Sequence, residues 1–214
     1  MRPHARWLAW SGLCALLAPA AGCGDSLGPE QTITVASTPS LDGFVRSDGI
    51  AGTNGGGPAV GDLDNAAPDV RVREFWGFDL SGVPANSEIT GATLKLYQLL
   101  VLGEPYATLG NAVVDHVDYG TTLEAGDYDR AALASGFAIA ATGPDTASHE
   151  VDATSQVRAD WAAGRTRTEF RLRFSIQDGD NDGINDIAAW TDAELSVNGS
   201  GVPPQLVITY RAPK

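Results

Sequence analysis

The sequence predicts an all-β fold, a single β-sandwich of jelly-roll type with one short helix, and three observations predict it. Apolar and polar residues alternate with period two along much of the chain, as in strands with one buried face. Clusters of Gly, Pro, Asn and Asp separate these runs, as turns require. Only one stretch has helical spacing, which leaves strands to supply the layers.

The clearest strand is 168–176, where Phe170, Leu172, Phe174 and Ile176 share one face while Glu169, Arg171, Arg173 and Ser175 share the other. In 72–80, Trp76, Phe78 and Leu80 alternate with Arg73, Phe75 and Asp79. Shorter runs of the same kind are 32–36, 44–46, 92–101, 112–117, 137–140 and 205–210. The helix is expected over 152–164. There Val157 and Trp161 are four residues apart, Asp152 or Thr154 is placed to cap the start, and Gly164 to end it. The Gly-rich segment 52–58 reads as a loop within the domain.

Residues 1–22 have the layout of a secretory leader: Arg2, His4 and Arg6, then a mostly apolar run closed by Pro19 and Gly22. The run is too short to span a bilayer, for which about 20 apolar residues are needed. Ala20, Ala21 and Gly22 before Cys23 resemble the lipobox of lipoproteins, so Cys23 is the expected lipidation site and 23–31 a tether. Gly24 in place of aspartate after the cysteine points to the outer membrane, so the expected location is the cell envelope, lipid-anchored. The other cysteine, Cys14, would leave with the leader, so no disulfide within the mature chain is expected.

About 192 residues, with the folded part at 32–214, suffice for one domain. Loss of Arg2 and Arg6 takes the formal charge from −13 to −15, which disfavours nucleic-acid partners. Lysine occurs only at 95 and 214, so nearly all positive charge is arginine.

Several segments together are similar to DNRLRE domains of secreted bacterial and archaeal proteins. They are Asp42-Gly43-Phe44-Val45, the run from Arg73 to Ser81, Val83-Pro84, and Ile89 to Tyr97. In the second half they are Val151-Asp152-Ala153-Thr154 leading to Val157 and Trp161, Phe170 to Phe174, and Pro203 to Tyr210. The hexapeptide that names that family does not occur here, and Asp152-Ala153-Thr154 replaces its usual Asp-Val-Thr. The resemblance implies a jelly roll related to carbohydrate-binding modules, non-catalytic and often joined to an enzyme. No joined enzyme is expected within these 214 residues, so the expected role is free-standing glycan capture or a structural one.

The sharpest chemical signal is the run from Asp178 to Asp186. Asp178, Asp180 and Asp182 stand at positions one, three and five, Gly183 at six, the carbonyl of Ile184 at seven and Asp186 at nine, an oxygen set suited to calcium. Position twelve is Ala189, so the bidentate glutamate of an EF-hand is missing, and the expected role of the ion is structural. The competing reading is a solvated acidic loop, against which stands the mutual repulsion of four aspartates in nine residues. Asp62 and Asp64 are a weaker second candidate.

Arg71, Arg73, Arg171 and Arg173 lie two apart on the polar faces of their strands, so neighbouring strands would gather them into one patch. Guanidinium groups bind carboxylate and sulfate bidentately, which suits an acidic polysaccharide. The competing reading is cross-strand pairing with Glu169, Glu74 or Asp79. Trp190, with Tyr106, Tyr119 and Tyr128, is placed in loops where a ring could stack on a sugar, whereas Trp76 and Trp161 read as core. His116, flanked by Asp115 and Asp118, and the isolated His149 form no recognisable catalytic set, so catalysis is not expected. The expected function is non-catalytic binding of polysaccharide. A structural or adhesive module with a protein partner is the alternative.

Overall fold

The computed structural model describes residues 27–53, 59–64, 70–179, 182–193 and 202–214. The leader and Cys23 lie outside these, as does Asp180. The strands are β1 Leu27–Ala36, β2 Gly43–Arg46, β3 Ala51–Gly52, β4 Ala59–Leu63, β5 Val70–Asp79, β6 Glu88–Leu102, β7 Ala112–Val117, β8 Ala134–Ala141, β9 Ser148–Asp152, β10 Arg167–Phe174, β11 Asn185–Trp190 and β12 Gln205–Pro213. Helices α1 Pro105–Thr108 and α2 Thr154–Ala162 and a 3₁₀ turn at Ala125–Asp127 complete the chain. β1 starts at Leu27, so residues 27–31, expected in the tether, are the first half of a strand paired to β12.

The sandwich follows from one long strand. The N-terminal part of β6 pairs with β12 on one edge and β9 on the other. Its C-terminal part pairs with β11, from Gln98 opposite Trp190 to Leu102 opposite Ile187. β6 thus turns from the layer β1–β12–β6–β9 into the layer β6–β11–β4–β5–β10–β7–β8. β2 adds to β5, and β3 to β2. All pairings are antiparallel, so this is the all-β sandwich the alternation predicts.

Alternation decides what fills the space between the layers. Trp76 and Phe78 of β5 and Phe170, Leu172 and Phe174 of β10 meet Leu94 and Leu96 of β6 and Leu206 and Ile208 of β12 in the main core. Ile176, expected on that face, falls beyond the end of β10 and is exposed. A smaller cluster, Leu41, Val45, Phe75, Val117 and Tyr119, lies apart from it, and the Phe75 and Tyr119 rings meet edge to face at 5.4 Å.

α2 occupies most of the predicted helical stretch. Asp152 Oδ1 accepts the Thr154 N–H at 2.9 Å, and Gly164, at φ +71°, ends the helix by donating its N–H to Trp161 O. Val157 is buried in the core, while the half-buried Trp161 donates its indole N–H to Ser87 O at 2.9 Å. No helix among the described residues is long and apolar enough to cross a membrane.

Phe170 touches the rings of Phe78, His116 and Phe137 at about 6 Å and has no exposed surface. Phe170→Ala should therefore lower unfolding stability by about 3–5 kcal/mol, read as a lower urea midpoint with unchanged slope.

Candidate functional site

β5 and β10 are hydrogen-bonded neighbours, with Arg171 opposite Phe75 and Leu172 opposite Glu74. β7 flanks β10 on its other edge, with Asp115 opposite Arg171. This brings Arg71, Arg73, Arg171 and Arg173 onto one face, the outer side of the second layer. The patch that the spacing predicts exists, and it is organised by a residue the sequence did not flag.

That residue is Asp115, which has no exposed surface. Its Oδ2 accepts Arg171 Nε at 2.9 Å, Arg171 Nη2 at 2.7 Å and Arg173 Nε at 2.8 Å. Its Oδ1 accepts Arg173 Nη2 at 3.0 Å and the Gly136 N–H at 2.6 Å. Burial pushes the carboxyl up, but the Arg173 bonds, the Gly136 N–H and Arg171 outweigh it and hold it below the ordinary aspartate range. Arg171 also caps the carbonyls of Tyr128 at 3.1 Å and Arg130 at 2.8 Å. Its guanidinium is thus consumed inside the protein. The pairing partner is Asp115, not Glu169, Glu74 or Asp79.

Arg71 and Arg73 are held differently. Arg73 donates to Tyr128 O and to Gln177 Oε1, and its guanidinium lies 3.9 Å from the Tyr128 ring centre, a cation–π contact. Arg71 donates to Gln177 O. Two exposed acidic groups lie near them, Asp129 at 3.7 Å from Arg73 and 88% exposed and Asp178 at 3.9 Å from Arg71 and 99% exposed, and the buried Asp62 stands opposite Arg71 on β4. Arg71, Arg73, Arg173, Tyr128, Ile176 and Gln177 line a small cleft. Gln177, which the sequence reading did not name, and Tyr128, expected as a loop aromatic, sit in loops whose docking no local pattern encodes. Asp115 carried a faint signal, as a polar residue at an outward position of the apolar run 112–117.

Trp190 does not join this site. It lies on β11, not in a loop, on the same inward face as Ala188, and has no exposed surface. Its ring packs into the core 5.3 Å from that of His149, so it cannot stack on a sugar. Tyr119 is likewise buried, its hydroxyl bonded to Leu41 O at 2.5 Å. Tyr106 packs against Phe174 and donates its hydroxyl to Gln98.

The acidic run is divided by the fold. Asp178 is at the cleft rim, and Asp182 Oδ1 turns back on the Ile184 N–H at 2.7 Å. The Gly183 N–H reaches Asp64 Oδ2 at 3.0 Å, so the weaker candidate pair does border the loop. Asp186 is buried on β11, opposite Asp62, and both its oxygens are engaged by α1, at Glu104 N–H (2.6 Å) and Thr108 Oγ1 (2.7 Å). Gly103 permits this approach: it has φ +68°, and a Cβ there would stand 2.1 Å from Asp186 Oδ1. No three acidic, histidine or cysteine side chains among the described residues stand at metal-ligand spacing.

His116 bonds Asp160 of α2 at 2.8 Å through Nε2, and both are buried. Arg165 approaches the other Asp160 oxygen at 3.4 Å. The group ties α2 to β7. A scan against models of known families and a search of curated proteins find no match to the chain.

Asp115→Asn removes the one charge between two guanidinium groups. It should cost about 3–5 kcal/mol in unfolding free energy. Because the folded pKa of Asp115 is depressed, its contribution is present above the unfolded aspartate value and is lost as pH falls through the folded one. Melting curves from pH 7 to pH 2 should accordingly show a smaller acid-side loss in the Asn variant than in wild type.

Proposed function

We propose that the chain is a non-catalytic module of the cell envelope, anchored by lipid at Cys23, that holds an acidic polysaccharide against the Arg71–Arg73 cleft. The carrying observation is the unequal neutralisation of the four arginines. Arg171 and Arg173 share a buried carboxylate, whereas Asp129 and Asp178, 3.7–3.9 Å from Arg73 and Arg71, are exposed. Exposed pairs at such distances contribute about 0–1 kcal/mol, so a uronate or sulfate that bonds bidentately can displace them. Asp115 then serves as the support that keeps the neighbouring guanidinium groups fixed. Calcium at the Asp178–Asp186 run would reduce the negative field beside the cleft, on a chain whose formal charge is −13.

A second reading is a structural or adhesive module without a sugar ligand. The internal consumption of Arg171 and Arg173 by Asp115 favours it.

Retention of the full chain on immobilised alginate or pectin, compared with a neutral glucan, separates the two. Binding is expected on the acidic polymers only and should weaken with added salt. Arg71→Ala with Arg73→Ala should lower the affinity at least about tenfold, roughly 1.4 kcal/mol, with Asp115 and its partners left in place. Absence of retention on every acidic polymer, with or without calcium, would leave the second reading.

A further inference from the structure

The sandwich starts close behind the expected lipid. β1 opens at Leu27, which puts that residue at most about 14 Å from Cys23 whatever path the chain takes between them. A domain of about 190 residues is roughly 40 Å across. One end of the sandwich is therefore held against whatever bears the lipid.

Pairing and hydrogen bonds identify that end. Leu27 stands opposite Pro213, Glu30 opposite Arg211, and Arg211 opposite Glu88, the first residue of β6. The turn 84–87 leads into Glu88 and exposes Asn86. α2 is fastened to the same place: Arg158 donates to Ile89 O at 2.6 Å and to Thr90 O at 3.1 Å, and Trp161 to Ser87 O at 2.9 Å. Leu80, Val83, Ala85, Trp161 and Ala162 line an open hollow of about 540 Å³ beside that turn.

Charge sets this end apart. The segments 27–30, 84–90, 154–162 and 211–214 hold three acidic side chains, Glu30, Glu88 and Asp160, and three basic ones, Arg158, Arg211 and Lys214. They are neutral together on a chain of formal charge −13, so the rest of the molecule carries the whole excess. Asp160 is buried, so the charges of this end that reach the surface sum slightly positive. An anionic lipid surface repels the rest and not this end, which turns the molecule the same way as the short link to Cys23 does.

We propose that this end is a membrane-contact surface, which rests on phospholipid headgroups with the Trp161 ring and the turn 84–87 at the interface. The inference rests on lipid at Cys23 and adds the orientation that the lipid imposes. A half-buried tryptophan whose indole N–H is already bonded suits the headgroup zone, which is apolar on one side and wet on the other. β6 leads away from the contact. Its other end, Leu102, pairs with Ile187 of β11, and Gly61 of β4 and Val72 of β5 follow in register, next to Arg71 and Arg73. The arginine cleft is thus carried by the part of the sandwich remote from the anchor.

The test uses the lipid-modified full chain on vesicles of phosphatidylethanolamine and phosphatidylglycerol, plain or brominated near the headgroup. With Cys14 lost in the leader and Cys23 acylated, a cysteine placed by Asn86→Cys, Pro213→Cys or Asp129→Cys is the sole free thiol for a fluorescent dye. Asp129, 88% exposed, reports the cleft. Brominated lipid should quench the dye at 86 and 213 several-fold more than at 129. Equal or reversed quenching in chain that stays on the vesicles would overturn the contact surface while the anchor stands. Cys23→Ala is expected to remain in solution, and chain that fails to bind vesicles with Cys23 intact would overturn anchor and contact together. Should Pro213→Cys disturb β12, Asn86→Cys against Asp129→Cys decides the outcome.

Discussion

The Asp115 carboxylate, buried between Arg171 and Arg173, is the interaction on which the outer face of the second layer depends. Six hydrogen bonds converge on it from β10 and β8. Through Arg171 it also fixes the loop carbonyls of Tyr128 and Arg130. Truncating one partner of such a group strands charge in a place water cannot reach, so the network is kept whole or lost together. Its consequence for binding is positional. The Tyr128 segment it holds down is the wall against which Arg73 is stacked and hydrogen-bonded.

The fold was legible because its signals are local. Alternation in 72–80 and 168–176 records which side chains enter the core, and Gly164 records where α2 must stop. Four strands escaped. β3 has two residues, β4 lies beside a Gly-rich loop and contains Asp62, β9 carries His149 and Glu150, and β11 begins inside the acidic run. In β11 the pattern of aspartates masked the alternation of Asp186, Ala188 and Trp190. That is why Trp190 read as a loop aromatic when it is a core residue. Strand pairing is the non-local part: spacing places Arg71 and Arg73 two apart, but only the neighbour relation of β5, β10 and β7 sets Asp115 beside Arg171.

A chain with formal charge −13 and only two lysines must decide where each arginine goes. One pair neutralises a carboxylate inside the protein, and the other donates to Gln177 and the Tyr128 carbonyl beside the exposed Asp129 and Asp178. The opposite face of β5 shows the complementary problem, with Glu74 enclosed beside two aspartates and no cationic side chain acting on it. The two faces of β5 thus carry side chains of opposite charge, Arg71 and Arg73 outward and Glu74 inward.

The division of labour among the four arginines can be observed directly. With the full chain labelled with ¹⁵N at arginine, the Nε–H resonances are followed while an oligomeric uronate is titrated in. Saturable shifts at Arg71 and Arg73, with Arg171 unmoved, are expected if two guanidinium groups bind and the others support. Shifts at none of the four, or at Arg171 with loss of its pairing to Asp115, would contradict it.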